Sequence, residues 1–258
     1  MLERLAAAAP TAVLVAVILF GLAIGSFLNV VIARLPEGRS LWRPGSACPG
    51  CGAPIAWYDN IPMLSFLVLR GRCRACGMAI SWQYPVVEAV TGAAFLAAYA
   101  AFGPTARCLD AVALLAALIA VSAIDLRLQI IPDAITLPGI VAGVLISVGT
   151  RSWLDAVLGV VVGGGVFLAI ILVQPAGMGG GDMKLAAMLG AFLGWKALLF
   201  SLFVAVTVGG ALALFLLATG LRGRKDPVPF GPFLALGGAT GLFWGERVVA
   251  WYLRGFGG

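Results

Sequence analysis

The 258-residue chain contains no histidine. That excludes Ser-His-Asp and Cys-His nucleophile pairs, His-ligated zinc hydrolases and histidine proton relays. Lysine is nearly as scarce: Lys184, Lys196 and Lys225 are the full set, and none has an evident serine partner for a Ser-Lys dyad. Charge as a whole is short. Asp, Glu, Lys and Arg make up 11% of the chain and apolar residues 62%, where a soluble domain carries about 25% charged residues. Most of the surface therefore does not face water. No basic stripe with interleaved aromatics occurs, which argues against nucleic acid as a partner.

What is present is a series of runs free of Asp, Glu, Lys and Arg: Leu5–Ala33, Ala89–Ala106, Ala134–Thr150, Ala156–Gly181, Ala197–Leu221 and Pro227–Gly245. Each is near or above the roughly 17–20 residues that a helix needs to cross a bilayer. Two shorter runs, Ala111–Ile124 and Leu185–Trp195, fill the gaps. The expected fold is an all-α polytopic membrane protein with about eight transmembrane helices. The first run is longer than a signal-peptide core. With Ser26 and Asn29 near its end it reads as a retained helix packed on others.

The loops set the orientation, because cytoplasmic loops collect Lys and Arg. Arg34, Arg39, Arg43, Arg70, Arg72 and Arg74 lie between the first two spans. Placing them in the cytoplasm also puts Arg127, Lys184, Arg222, Arg224 and Lys225 there, leaving Arg4, Arg107, Arg151, Lys196, Arg247 and Arg254 opposite. Both termini then lie outside the cytoplasm. The net charge of +6 is mostly accounted for by this topology and by attraction to anionic lipid.

One segment, roughly Pro36 to Tyr84, is polar enough to leave the membrane. The expected organisation is a first transmembrane helix over 1–35, a cytoplasmic metal-binding domain over 36–84 and a transmembrane catalytic domain over 85–258. The middle segment carries Cys48-Pro-Gly-Cys51 and Cys73-Arg-Ala-Cys76, 21 residues apart. That spacing is close to a zinc ribbon, in which two knuckles supply four thiolates to a tetrahedral ion. Gly50 and Gly52 permit the tight turn, and Gly71 and Gly77 flank the second pair. Disulfides are disfavoured in a reducing compartment. A closed four-Cys site has no open coordination position, so its expected role is to fold a small domain. Cys108, at the far end of span two, reads as a small apolar filler.

Few groups remain for proton chemistry. The eleven acids are Glu3, Glu37, Asp59, Glu88, Asp110, Asp125, Asp133, Asp155, Asp182, Asp226 and Glu246. A carboxylate within a bilayer costs about 2.5–3.5 kcal/mol on the insertion scale, so acids at span edges need a reason. Asp110, Asp155, Asp226 and Glu246 read as interfacial loop residues. Asp125 differs. Only 14 residues separate it from Asp110, about 21 Å of helix against a hydrocarbon core of roughly 30 Å. It should sit slightly inside the cytoplasmic edge, with Pro132 ending any continuing helix and restarting the chain in span four. Asp182 closes Gly179-Gly180-Gly181-Asp182, and three glycines favour an opened backbone that a substrate strand could approach. The run lacks the Gly-Lys-Ser/Thr ending of a phosphate-binding loop. Asp133, eight residues after Asp125, reads as a membrane-edge cap or supporting acid.

By this topology Asp125 and Asp182 fall on one side at similar depth. Two close carboxylates share a proton, so one can activate water while the other donates to a carbonyl. Peptide hydrolysis follows. A proton-coupled transporter using the same pair, or a zinc-stabilised scaffold without chemistry, stays open on this ground alone.

The motifs resemble the type IV prepilin peptidases, the leader peptidase/N-methyltransferases among the Gly-x-Gly-Asp intramembrane aspartyl proteases. The resemblance is carried by Gly25-Ser-Phe-Leu-Asn-Val-Val-Ile-Ala-Arg-Leu-Pro36, Asn60-Ile-Pro-Met-Leu-Ser65, Gly71-Arg-Cys-Arg-Ala-Cys76 and Tyr84-Pro-Val-Val-Glu88. The Asp125 segment, Gly179-Gly-Gly-Asp182-Met-Lys184 and Pro229-Phe-Gly-Pro-Phe-Leu234 complete it. Ala33 and Gln83 depart from it, standing where relatives often carry a polar or basic residue. The resemblance implies catalytic aspartates at Asp125 and Asp182, with Gly179, Gly180, Gly181, Pro132 and Asp133 in the supporting loops, and zinc at Cys48, Cys51, Cys73 and Cys76. It implies removal of a basic leader from type IV prepilins or type II secretion pseudopilins after a glycine, at the cytoplasmic face of the bacterial inner membrane. It also implies methylation of the new N-terminus with S-adenosylmethionine. Glu88 and Asn60 are motif positions without a derived role, and no nucleotide-binding glycine signature follows a strand.

Overall fold

The computed structural model of the chain describes residues 10–174, 178–221, 223 and 228–255. Glu3, Arg4, Arg222, Arg224, Lys225 and Asp226, assigned above to loops and termini, lie outside the described residues. The described elements are helical, with only two isolated β-bridges. Among the described residues six helices are long and apolar enough to cross a membrane, and the chain is a multi-pass membrane protein. The backbone divides into two compact units, Met1–Ala120 and Val121–Gly258.

The first unit holds α1 (Pro10–Arg34), the short α2 (Leu64–Val68), α3 (Gln83–Phe102) and the first part of α4 (Ala106–Leu128). Helices α1 and α3 are antiparallel and meet through small residues. A Cβ on Gly21 would stand 2.8 Å from the Gly92 Cα, and one on Gly25 would stand 2.7 Å from the Glu88 Cα. Close backbone approach of this kind is how helices associate where lipid offers no hydrophobic drive. Asn29 is 3% exposed and donates to the carbonyls of Gly25 and Tyr84 at 3.3 and 3.1 Å, which is the helix-on-helix packing expected of it.

The turn between α3 and α4 is shorter than the charge pattern suggested. Gly103 takes φ +62, and the Thr105 hydroxyl accepts the Cys108 N–H at 3.4 Å, so the helix restarts at Ala106. This corrects two expectations. Asp110 lies in the second turn of α4 and is 4% exposed, not in an interfacial loop. Cys108 belongs to α4, not to the far end of the preceding span, and it is buried. Asp155 and Glu246 likewise stand in the first turns of helices, where a negative side chain complements the positive helix end.

The second unit holds the end of α4, then α5 (Asp133–Thr150), α6 (Trp153–Val173), α7 (Gly180–Ala218), α8 (Gly231–Thr240), a π-helical turn (Gly241–Gly245) and α9 (Glu246–Gly255). Run straight, the 39 residues of α7 would span about 58 Å, twice a bilayer core. The helix instead breaks at Gly194, whose φ of 75° and ψ of 165° are non-helical. A side chain there would also meet Asp155 Oδ2 at 3.0 Å. Neighbours give the direction of each arm. On the first, Gly190 abuts Gly159 and Ala186 abuts Gly163, antiparallel to α6. On the second, Gly209 meets Phe233, and Ser201 meets Gly237 and Gly241, antiparallel to α8. Phe167 stacks near Phe230 at 6.3 Å, while Asp155 shares a cavity wall with Glu246 and Ala250, so α6 and α8 are themselves antiparallel. The two arms of α7 therefore fold back on each other at Gly194. The runs Leu185–Trp195 and Ala197–Leu221, expected as separate spans, occupy these two arms.

Candidate functional site

Asp125 lies one turn before the end of α4 and is 5% exposed. The helix stops because Gln129 turns to φ +55. Pro132 starts the next span, as expected, at the N-terminal flank of α5; the preceding helix has already ended at Leu128, so it is not Pro132 that stops it. One carboxylate oxygen, Asp125 Oδ2, accepts the backbone N–H of Gly231 at 2.9 Å. Gly231 opens α8 between Phe230 and Pro232. A Cβ at Gly231 would stand 2.7 Å from Asp125 Oδ2 and 3.1 Å from its Cγ. Only glycine admits the carboxylate in this position.

Asp182 sits in the first turn of α7, half-buried. Its Oδ2 accepts the Gly179 N–H at 3.2 Å, and its own N–H donates to the Gly179 carbonyl at 3.1 Å. That reciprocal pair starts the helix. The three glycines were expected to leave an opened backbone; only Gly179 is extended (φ −83, ψ 149), and Gly180 and Gly181 are already helical. The two helical glycines differ in their surroundings. A Cβ on Gly181 would meet Ile131 Cβ at 2.9 Å, so the connection between α4 and α5 rests against this turn. Gly180 faces open space, with nothing within 4 Å of its Cβ position. The next contact outward is an ion pair: Lys184 Nζ lies 2.7 Å from both carboxylate oxygens of Asp133, the first residue of α5.

The structure thus brings together Asp125, Asp182, the glycine turn, Pro132 and Asp133 at one end of the second unit. The turn that carries Asp182 rests through Gly181 on Ile131, six residues after Asp125. Two carboxylates from different helices, each oriented by a glycine N–H, can hold a water between a proton acceptor and a proton donor. Sequence reasoning quoted the Pro229–Leu234 run without a role for Gly231. A glycine flanked by Phe and Pro at a helix start was the available signal.

The second cluster lies in the first unit. The Sγ atoms of Cys48, Cys51, Cys73 and Cys76 all lie within 4.8 Å of one another. Cys48 and Cys76 Sγ are 3.8 Å apart, the edge of a tetrahedron with about 2.3 Å zinc–sulfur bonds. The two knuckles repeat one another. Gly52 and Gly77 donate to the carbonyls of Cys48 and Cys73, both at 2.9 Å, while the Cys48 and Cys73 N–H groups bond Ala53 and Met78. The turn glycines are Gly52 (φ 71) and Gly77 (φ 73). Gly50 serves differently from expectation: a Cβ there would collide with Met78 Sδ, at 2.5 Å, so it lets the knuckles approach. The donor set and geometry fit a four-thiolate ion. The N–H groups of Cys51 and Gly50 pull the Cys48 thiol down to about 6. Met78's N–H lowers Cys76, but its own S–H bonds toward the other three sulfurs and loss of hydration push it up to about 11. Arg74, inside the second knuckle, grips Asp59 through two bonds of 2.8 and 2.6 Å and holds that carboxyl below its usual range.

Residues 19–102 match the Bacterial Peptidase A24 N-terminal domain, and residues 112–214 match the Type IV leader peptidase family. A "Prepilin leader peptidase/N-methyltransferase" of Myxococcus xanthus is 46% identical over 225 residues, covering 82% of this chain and 66% of the relative. Proteins of the same description from Burkholderia pseudomallei and Aeromonas hydrophila are 39% and 40% identical. They cover 94% and 93% of this chain and 92% and 93% of their own lengths. No solved structure matches the chain significantly. The chain belongs to the type IV leader peptidase family.

Proposed function

We propose that this chain is an intramembrane aspartyl endopeptidase that removes the basic leader from type IV prepilins or type II secretion pseudopilins. Asp125 and Asp182 are its catalytic pair. The observation that carries the reading is the placement of these two carboxylates at one end of the unit, each accepting a glycine N–H, with the Gly181 turn beside Asp182 resting on Ile131 just after α4. In the reaction, the ionised carboxylate takes a proton from water as the oxygen attacks the scissile carbonyl. The protonated partner donates to that carbonyl oxygen. The tetrahedral adduct then collapses, its nitrogen leaving with a proton returned by the carboxyl pair. Gly180, with open space before it, leaves room for the substrate backbone beside Asp182.

The proposal places this end of the protein toward the cytoplasm in the inner membrane, in keeping with Arg127 and Lys184 beside it. Zinc is the ion proposed for Cys48, Cys51, Cys73 and Cys76, where it folds the knuckles and takes no part in hydrolysis. N-methylation of the new N-terminus with S-adenosylmethionine is proposed from the relatives' names. The described residues form no strand followed by a glycine-rich turn of the nucleotide-binding kind. Incubation with a prepilin and S-adenosylmethionine, followed by mass spectrometry of the product, tests both activities. The expected product lacks the leader and gains one methyl group. An intact prepilin would overturn the peptidase, and a cleaved unmethylated product the second activity.

A further inference from the structure

The segment between α1 and α3 is polar on average, yet one part of it is not. Helix α2 carries Leu64, Leu67 and Val68 on one face, at the i, i+3, i+4 spacing of a helical stripe. Their side chains are 52%, 67% and 65% exposed. The opposite face is satisfied within the unit. Ser65 Oγ accepts the Ile61 N–H and donates to the Tyr58 carbonyl, both at 3.0 Å, and Phe66 stacks on Trp82 at 4.9 Å. The outward stripe has no protein partner among the described residues.

Its depth is set by a buried acid. Glu88 is 7% exposed on α3, and its Oε2 accepts the Met63 N–H at 2.8 Å. Glu88 lies five residues inside the start of α3, about 8 Å along the helix. It also faces Gly25, nine residues inside the end of α1, about 13 Å. The start of α2 is therefore held at the level of the spans themselves. Met63 (φ 60) and Arg70 (φ 52) bound the segment in left-handed conformations that side chains rarely adopt, so the excursion is a defined element. Trp42 gives a second contact at that level: it stacks 6.0 Å from Phe27, seven residues inside the end of α1. On the outer side, Arg70 and Arg72 are exposed and meet no carboxylate among the described residues.

We infer that α2 is a membrane-inserted anchor: Leu64, Leu67 and Val68 enter the acyl boundary of the cytoplasmic leaflet, with Arg70 and Arg72 at anionic headgroups. The occupant of the exposed stripe is lipid. Interfacial helices sink about 5–10 Å into this boundary, comparable with the roughly 8 Å by which Glu88 lies inside the start of α3. Exposed Trp42, Trp57 and Trp82 (81%, 81% and 71%) suit the headgroup level. The metal-binding unit is thereby held against the membrane by its own fold, with Glu88 as the positioning residue. The inference rests on the multi-pass character of the chain and is independent of the peptidase reading.

The test uses the zinc-loaded full chain in vesicles of phosphatidylethanolamine and phosphatidylglycerol, with a bimane fluorophore on Leu67→Cys. Zinc content confirms the fold, and Val68→Cys replaces this site if the first variant fails to load zinc. Spin-labelled lipid should quench the fluorophore and aqueous iodide should not. Adding Glu88→Ala should make it accessible to iodide, and Glu88→Gln, which keeps an acceptor oxygen, should restore lipid quenching. Quenching by iodide in the parent chain overturns the inference. So does a fluorophore that neither agent reaches, because that stripe would be covered by protein. Neither readout depends on whether the chain cleaves a prepilin.

Discussion

Gly231→Ala is the most informative single substitution, because it disturbs one oxygen of the proposed catalytic pair and little else. The added Cβ would lie 2.7 Å from Asp125 Oδ2, where ordinary contact begins at 3.4 Å. The carboxylate or the start of α8 must yield by about 0.7 Å, the difference of those two distances, and the 2.9 Å bond from the Gly231 N–H is strained with it. A misplacement of about 1 Å at a reacting group can cost on the order of 100-fold in rate. Gly231→Ala should therefore slow prepilin cleavage by roughly 10- to 100-fold, about 1.4–2.7 kcal/mol of barrier. KM should change little if the substitution acts, as proposed, on the reacting carboxylate of Asp125. Gly210→Ala is the control, because its Cβ meets nothing within 4 Å; it should cleave normally and gain up to about 1 kcal/mol of helix stability. The assay is single-turnover cleavage of a detergent-solubilised prepilin followed by gel or mass. Wild-type turnover by Gly231→Ala would refute the placement of Asp125 in the reaction.

Gly159→Val forces a side chain into the Gly190 carbonyl and should destabilise the second unit by about 1–3 kcal/mol or more, read as a lower midpoint in thermal unfolding. Gly165→Ala, with open space around it, should not. Lys184→Met removes a partly exposed ion pair to Asp133 and should cost no more than about 1 kcal/mol of stability; a larger fall in the unfolding midpoint would show that the pair holds the α5 and α7 starts together. Zinc affinity should rise with pH, because the ion binds thiolates and must displace protons from Cys48, lowered to about 6, and from Cys76, raised to about 11. Between those values the proton still held by Cys76 makes affinity climb by about tenfold per pH unit. Competition with a chelator across pH 6 to 9 measures this, and a flat profile contradicts thiolate ligation.

Much of the fold was legible because the bilayer penalises charge. Runs without Asp, Glu, Lys or Arg marked the spans, and the cost of a carboxylate at a span edge singled out Asp125 and Asp182. The Cys pairs carried their own spacing. What sequence hid were effects of proximity in space. Asp110 looked like a loop acid because charge ended the apolar run, yet Thr105 starts the helix before it. Glycines near Asp182 looked like open backbone from propensity alone, but the Asp182 carboxylate caps the turn and makes it helical. The break at Gly194 was legible as two separate apolar runs, but not that a Cβ there would meet Asp155 Oδ2 from α6 at 3.0 Å. The Asp125–Gly231 bond joins residues 106 apart, which no local pattern encodes.

The most direct test of the central claim replaces each carboxyl by its neutral isostere. Asp125→Asn and Asp182→Asn, purified from membranes with zinc content equal to the parent chain, are incubated with a prepilin and the product is weighed by mass spectrometry. The account predicts that both leave the leader in place. A processed product at the parent rate from either variant would contradict it.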